Sequence, residues 1–148
     1  MQTLETARRL GELDRELILD LIGKFFARQA TGDIDGMLEL VAPDIVCFPN
    51  TSWRHARYPR RIVGKDAMRE ALRQRHINYE LLETVVHRTL IDGDQAAVHC
   101  TTTMRERGGG ASYTFDSVDF LRFRDGHITE FCALPDGSAY DAVVYFPH

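Results

Sequence analysis

The order of hydrophobic and polar residues divides the chain into a helical first half and a strand-rich second half. From about Leu4 to Thr31, apolar residues recur every three or four positions, which is the spacing of one face of an α-helix. From Tyr79 to Leu134 the repeat is two residues, as in strands with one buried face. Helices gathered before strands predict an α+β domain in which the helices cover one face of a sheet.

The first half contains three predicted helices and one short strand. In the first helix Leu17, Leu21 and Phe25 recur every four residues and form a buried stripe, and Gly11 leaves open a separate first turn. Gly32 suits the position just after the first helix, and Asp33 is a suitable N-cap for the second helix. The helices are predicted over 4–31, 34–41 and 65–74, and the strand over 45–48.

Four longer strands make up the second half. Asp-Gly pairs and a run of three glycines, which favour tight turns, separate them, so we expect an antiparallel meander. A twisted sheet with a helix across its concave side leaves a cone, and the open end of the cone is the expected small-molecule pocket. The strands are predicted over Tyr79–Ile91, Gln95–Arg107, Ser112–Arg124 and His127–Leu134.

The strand 112–124 places one carboxylate among apolar residues. With period two, Asp119 shares a face with Tyr113, Phe115, Leu121 and Phe123. A buried carboxylate is costly unless it is hydrogen-bonded, hydrated or protonated, and desolvation raises its pKa. A neutral Asp can donate to a developing oxyanion, so Asp119 is the first catalytic candidate. A shifted register, or an Asp held by a backbone or arginine partner, is the structural alternative.

Strand parity also predicts what surrounds Asp119. The neighbouring inward positions are mostly apolar, which is typical of a site for a hydrophobic small molecule, although Met and Cys there often serve packing alone. The predicted substrate-binding residues of the helix and strands are Phe25, Cys100, Thr102, Met104, Tyr113, Leu121, Phe131 and Ala133.

Residues 50–62 form a predicted loop with aromatic and basic content. Trp53, His55 and Tyr58 stand among four arginines, which suits a lid over the pocket or a grip on an anionic group. A solvated basic loop, ordered at a subunit interface, is the alternative. Acid–base catalysis needs a second titratable group near the substrate, and the candidates are His55, Tyr58 and His76.

Composition narrows the function classes. The chain has 148 residues, enough for one domain, with a net charge of −4, which disfavours nucleic-acid binding through overall charge. It has no apolar run long enough to span a membrane and no apolar signal core, so we predict a cytoplasmic protein. Three widely spaced cysteines suggest reduced thiols, and the six histidines lack metal-binding spacing, so no metal is predicted.

Four stretches carry a family resemblance: residues 30–37, 40–46, 63–68 and 118–131. With this order of elements, the chain resembles the nuclear transport factor 2-like superfamily and, within it, the SnoaL-like polyketide cyclases and ketosteroid isomerases. The resemblance implies a single domain over 1–148, with a core of about 14–136 and a C-terminal tail over 137–148. It also implies a cone-shaped fold with a curved antiparallel sheet under three helices, and a homodimer formed through the exposed sheet face.

The resemblance bears on residue roles as well. Asp119 falls where ketosteroid isomerases keep a protonated Asp in the oxyanion hole. Phe25 stands at the place of their oxyanion-hole Tyr and Pro49 at about the place of their general base. The last strand, Phe131–Leu134, lacks the arginine and carboxylates of the limonene-epoxide-hydrolase-like members.

The predicted function is therefore acid–base chemistry, as a cyclase, isomerase or dehydratase without a redox cofactor, on a polyketide- or steroid-like ring. A non-catalytic module that binds a hydrophobic small molecule is the alternative. An interaction protein that assembles through its sheet is compatible with both.

Overall fold

The computed structural model describes residues 3–48 and 61–136, with the side chains of residues 7–10 and 13 excepted. The three predicted helices are confirmed. The first is continuous through Gly11, and the third continues beyond its predicted end at Gln74. The helices are α1 (Leu4–Ala30), α2 (Ile34–Glu39) and α3 (Lys65–Asn78).

The strands form one six-stranded sheet in the order β2-β1-β6-β5-β4-β3. The meander from β3 to β6 is antiparallel, as predicted, whereas β1 pairs in parallel with β6 and makes the sheet mixed. Strand β2 includes Ile62, which was predicted to be part of the loop. The strands are β1 (Val41–Phe48), β2 (Ile62–Val63), β3 (Tyr79–Asp92), β4 (Gln95–Glu106), β5 (Ser112–Arg124) and β6 (His127–Pro135).

Strand β1 begins four residues before its predicted start at Ile45. Val41 pairs with Ile128 of β6, and both side chains are fully buried. The residues between Val41 and Val46 include Pro43 and Asp44, which favour turns, and the register with β6 shifts in this segment. Pairing with a strand far along the chain therefore overrides the local turn signal.

The core lies between the helices and the inner face of the sheet. In α1 the buried stripe follows Ile18, Ile22, Phe25 and Phe26, while Leu17 is 59% exposed. The prediction that Leu17 belongs to this stripe is wrong. A four-residue repeat drifts by about 40° per step around a helix, and Leu17 has thereby left the face that contacts the sheet.

Local residues fix the end of α1 and the start of α2 as predicted. Asp33 caps α2 by accepting a hydrogen bond at Oδ1 from the Gly36 N–H, at 2.9 Å. Gly32, after α1, has a φ of 71°, a conformation that most side chains disfavour. A Cβ at Gly32 would also come within 2.7 Å of the His76 ring, so the close contact of α3 with this turn needs glycine.

Within the described ranges, no helix is both long and apolar enough to cross a membrane. The predicted loop residues Trp53, His55 and Tyr58, and the tail 137–148, lie outside those ranges.

Candidate functional site

Alternate residues of β5 point into the protein. Phe115, Ser117, Asp119, Leu121 and Phe123 are buried, and the residues between them are exposed or half-buried. The predicted register is thus confirmed, and Asp119 is only 5% exposed. The curved sheet and the helices above it enclose this carboxyl group.

Asp119 forms hydrogen bonds with two neighbours on the sheet. The Ser117 hydroxyl lies 3.2 Å from Oδ1, and the Cys100 thiol lies 3.8 Å from Oδ2. Cys100 is directly opposite Ser117 in the pairing of β4 with β5, and its Sγ is 3.2 Å from the Ser117 Oγ. These two hydrogen-bond partners of Asp119 are neutral groups, and the charge of Arg75 acts on the carboxyl group electrostatically.

Burial makes Asp119 an unusual acid. Loss of solvent raises the pKa of its carboxyl group from 3.8 to about 6. The hydrogen bonds from Ser117 and Cys100, and the positive charge of Arg75, act in the opposite direction by favouring the ionised form. A carboxyl group with a pKa this close to neutrality can both take up and release a proton at physiological pH.

A cavity of about 580 Å³ lies beside Asp119. Its inner, buried end carries Ser117 and Asp119, and a third buried polar residue, Thr102, lies opposite Phe115 in the lining. Its apolar wall includes Leu81, Met104, Phe115, Phe131 and Ala133. Its outer end carries exposed or half-buried polar residues, which are Gln29, Gln74, Arg75, Asn78, Glu106 and Arg107. The cavity therefore combines an apolar wall with buried and exposed polar groups.

The predicted substrate-binding residues divide into two groups. Thr102, Met104, Phe131 and Ala133 line the cavity. The remaining described residues do not appear in its lining: Phe25, Cys100, Tyr113 and Leu121.

Three of these four residues lie in the core behind the cavity wall. Phe25 packs against the ring of Phe131, with 5.3 Å between ring centroids, and so supports a wall residue from behind. Leu121 and Cys100 are buried at 2% and 1% exposure. The Tyr113 hydroxyl donates to Oε1 of Glu106 at 3.3 Å, so Tyr113 contacts a residue of the outer end.

The structure places His76, a predicted partner of Asp119, at the edge of the site. Its side chain is exposed and borders a small neighbouring pocket, and it interacts with Arg107. His55, Tyr58 and Trp53 lie outside the described residues, so their roles stay predictions.

The thiols are poor nucleophiles. Burial raises the pKa of Cys100 to about 11 and that of Cys47 to about 12, so both stay protonated near neutral pH. In residues 3–48 and 61–136, no three His, Cys, Asp or Glu side chains come together as a possible metal site. Proton transfer is thus the chemistry that the described groups support most directly.

The exposed polar residues of the cavity lining were not predicted from the sequence. Arg75 and Asn78 follow Ala71 at spacings of four and seven residues, so all three lie on one face of α3 and all three line the cavity. That spacing was readable from the sequence. Glu106 and Arg107, in contrast, lie where β4 ends, and no local pattern indicated their direction.

A family model described as the SnoaL-like domain matches residues 22–131, about three quarters of the chain. No curated protein matches the chain significantly.

Solved structures share its fold. A "putative polyketide cyclase" from Xanthomonas campestris pv. campestris is 22% identical, with a TM-score of 0.67 over 81% of this chain and 90% of that one. A "putative isomerase" from Bacillus subtilis is 19% identical, with a TM-score of 0.72 over 84% and 93%. A nuclear transport factor 2-like protein of unknown function from Burkholderia pseudomallei is 18% identical, with a TM-score of 0.70 over 85% and 95%. The predicted α+β fold is confirmed.

Proposed function

The chain belongs to the SnoaL-like domain family, and from this premise we propose that it is an enzyme that transfers protons on a small hydrophobic ring compound. The products of such chemistry are those of an isomerase, a cyclase or a dehydratase. One observation carries the proposal: Asp119, with a pKa of about 6, lies in the lining of a cavity that has an apolar wall. The similar structures described as a "putative polyketide cyclase" and a "putative isomerase" support the same class of reaction.

Asp119 is the proton-transferring group of this proposal. At pH 7 about nine-tenths of a carboxyl group with a pKa near 6 is ionised. The carboxylate takes a proton from the carbon next to a substrate carbonyl, and the electrons of the broken C–H bond move onto the carbonyl oxygen. Protonated Asp119 then returns the proton to a different carbon, which completes an isomerisation. No electrons leave or enter the substrate, so the sequence of steps is redox-neutral.

Cyclisation starts from the same enolate. Its carbon attacks a second carbonyl within the folded substrate, a new C–C bond forms, and the alkoxide produced takes the proton from Asp119. Loss of water from this product would be the dehydratase outcome. Which branch follows depends on how the cavity folds the substrate.

The cavity suits a ring compound. Its volume of about 580 Å³ lies within the range common for small-molecule sites, and its walls offer aromatic, aliphatic and thioether surfaces. The buried Thr102 hydroxyl, opposite Phe115 in the cavity lining, is one donor for a developing oxyanion. His55, Tyr58 and His76 remain the proposed partners in acid–base transfer.

A direct test is exchange of substrate hydrogen with solvent. We expect the protein to accelerate deuterium uptake from D2O at the α-carbon of enolisable bicyclic and steroid ketones, followed by proton NMR. Asp119→Asn should lower the exchange rate by about 10²- to 10⁴-fold. Asp116→Asn is the matched control, because Asp116 lies on the same strand but on the exposed face. Equal exchange rates with the wild type and with Asp119→Asn would show that Asp119 does not take part in the reaction.

The alternative is a binding module without chemistry. It is favoured by the fact that Asp119 is the only titratable group among the described lining residues at the inner end. Ketones that bind in the cavity but show no exchange above the rate in buffer would support this alternative.

We also propose that two copies associate through the outer face of the sheet. This face carries exposed apolar side chains on three strands, including Val85, Phe120 and Leu134, at 38–47% exposure. Sedimentation should show a dimer that Phe120→Glu weakens, and a monomer at all concentrations would contradict the proposal.

A further inference from the structure

The first part of β5 has no described strand beside it on the side of β6. The pairing of β5 with β6 ends at Ser117, which lies opposite Pro135. Strand β5 itself, together with its pairing to β4, extends further, to Ser112. Among the described strands, residues 112–116 are therefore paired on one side only. We call their side toward β6 the open edge of β5.

Hydrogen bonds on the two sides of β5 show which backbone groups point toward the open edge. The Asp136 N–H donates to the Asp116 carbonyl oxygen at 2.6 Å, so the even-numbered residues of β5 point toward β6. The Glu106 N–H, at the end of β4, donates to the Ala111 oxygen at 3.2 Å, so the odd-numbered residues point toward β4. This alternation continues along a strand, and the N–H and C=O of Thr114 therefore face the open edge. Such an edge can pair with a further strand.

The open edge lies beside the cavity. Phe115, within this edge, lines the cavity, and so do Ser117 and its partner on β6, Pro135. Pro135 is also the last residue of β6, so the chain leaves the sheet from the cavity wall. Among the described residues, the wall ends at Pro135 on the β6 side, while on β5 it continues to Phe115.

Residues 137–140, which follow β6 in the sequence, complement the open edge in size. If the register of β6 with β5 continues, each large side chain lies opposite a small one, and two hydroxyl side chains form the remaining pair. The pairs are Phe115 with Gly137, Tyr113 with Ala139, Ser112 with Tyr140, and Thr114 with Ser138. An aromatic residue shields a glycine on the neighbouring strand, and paired hydroxyl groups can share a hydrogen bond, so this register is favourable.

We propose that residues 137–140 pair with the open edge and form the side of the cavity next to Phe115. In this register Gly137 and Ala139 continue the inward series of Ala133 and Pro135, both of which line the cavity. Two small inward side chains leave room for a ligand beside Phe115, while the backbone of the segment separates this room from solvent. The segment is joined directly to β6, so its pairing requires no long loop to be closed.

Amide hydrogen exchange in the full chain, followed by NMR, tests the pairing without a ligand. We expect the Thr114 amide to exchange at least about tenfold more slowly than an unprotected amide. Ser138→Pro should remove this protection, because the Ser138 N–H bonds to β5 in the proposed register. Ala139→Pro is the matched control, since the Ala139 N–H points away from β5 and proline is tolerated there. The Phe115 amide, which faces β4, should stay protected in both variants and reports an intact sheet.

Two results of this experiment would overturn the proposal. One is a Thr114 amide that is unprotected in the wild type. The other is equal exchange of this amide in Ser138→Pro and Ala139→Pro, as expected if the segment packs elsewhere, for example on the exposed face of the sheet.

A second experiment tests which side chains of the segment face the cavity, and it alone rests on the proposed small-molecule site. The probe is α-tetralone, a bicyclic ketone, titrated by calorimetry. Ala139→Trp should weaken its binding at least about tenfold, because the indole fills the cavity. Ser138→Trp, which faces the other side, should stay within about twofold of the wild type. The reverse order would contradict the register. A protected Thr114 amide without any binding of α-tetralone would support the pairing and count against the proposed function.

Discussion

The Ser117 hydroxyl donates a hydrogen bond to Oδ1 of Asp119, 3.2 Å away and two residues along the same strand. The period of two that turns Asp119 toward the cavity turns Ser117 the same way, so the two side chains are neighbours by construction. Burial raises the pKa of Asp119, and this hydrogen bond is the largest of the effects that lower it. The pKa of Asp119 is therefore set mainly by the loss of solvent, which raises it, and by the Ser117 hydroxyl, which lowers it.

Ser117→Ala removes that hydroxyl and should raise the pKa of Asp119 further above about 6. The carboxyl carbon of Asp119, followed by ¹³C NMR as the pH is changed, gives this pKa without any substrate. Ser112→Ala, at an exposed position of the same strand, is the control and should leave it unchanged. A lower pKa in Ser117→Ala would mean that the hydroxyl does not stabilise the carboxylate.

Asp119→Asn should stabilise the fold above neutral pH. A carboxyl group whose pKa is higher in the folded than in the unfolded state favours folding when it is protonated. The cost of ionising Asp119 is absent below pH 3.8, develops between pH 3.8 and about 6, and is complete above that, at about 3 kcal/mol. Urea unfolding should therefore show a gain of up to about 3 kcal/mol for Asp119→Asn at pH 8 and little change at pH 4.

Asp116→Asn is expected to behave in the opposite way. A hydrogen bond from the Thr101 hydroxyl, at 2.6 Å, lowers the pKa of Asp116, so its ionised form favours the folded state. The substitution should lower stability slightly at pH 8 and have no effect well below pH 3.8. If both substitutions raised the free energy of unfolding at pH 8, the net charge of the protein, and not the burial of residue 119, would explain the gain.

Phe25→Ala should destabilise the protein by about 3–5 kcal/mol, since Phe25 is 1% exposed and its ring contacts Phe26 and Phe131. The loss should appear as a lower midpoint of chemical unfolding. Leu17→Ala, on the exposed side of the same helix, should change stability by no more than about 0.5 kcal/mol. Similar losses in both variants would contradict the observed orientation of α1.

The buried thiols should resist alkylation. At pH 8 a thiol with a pKa of about 11 is ionised in roughly one molecule in a thousand, and Cys100 is also shielded from reagents. Iodoacetamide labelling, read by peptide mass spectrometry, should modify the partly exposed Cys132 before Cys100 and Cys47. In denaturant the three should react at similar rates. Rapid native labelling of Cys100 would show that the inner end of the cavity is open to solvent.

The inner face of the sheet was predictable from the sequence because a strand with one buried face has a strict period of two. One alternation in β5 was enough to place Asp119 inside, and the pairing of β4 with β5 then placed Thr102 and Met104 on the same face of the sheet. Helix starts and the turn at Gly32 were predictable for a similar reason, since caps depend on a few adjacent residues.

Contacts between distant elements were not predictable. Nothing in the sequence around Val41 indicates its parallel partner at Ile128, and so the early start of β1 was missed. The alternation of inward and outward residues in a strand cannot distinguish residues that line a cavity from residues of the core. For this reason Cys100 and Leu121 were predicted to bind substrate. Arg107 contacts His76 across two elements, and this pairing depends on the packing of α3 against the end of β4. The cytoplasmic location, the homodimer and the roles of His55 and Tyr58 stay predictions.

The sheet order also constrains how the protein is made. Strand β1 leaves the ribosome early, yet the neighbour that joins it to the meander is β6, the last strand to be synthesised. Until β6 has emerged, β1 and the short β2 have no link to the rest of the sheet. Premature termination before residue 127 would therefore leave a nascent chain with a divided sheet. The edges of β1 and β5 that normally pair with β6 would be exposed, and chaperones would have to shield them.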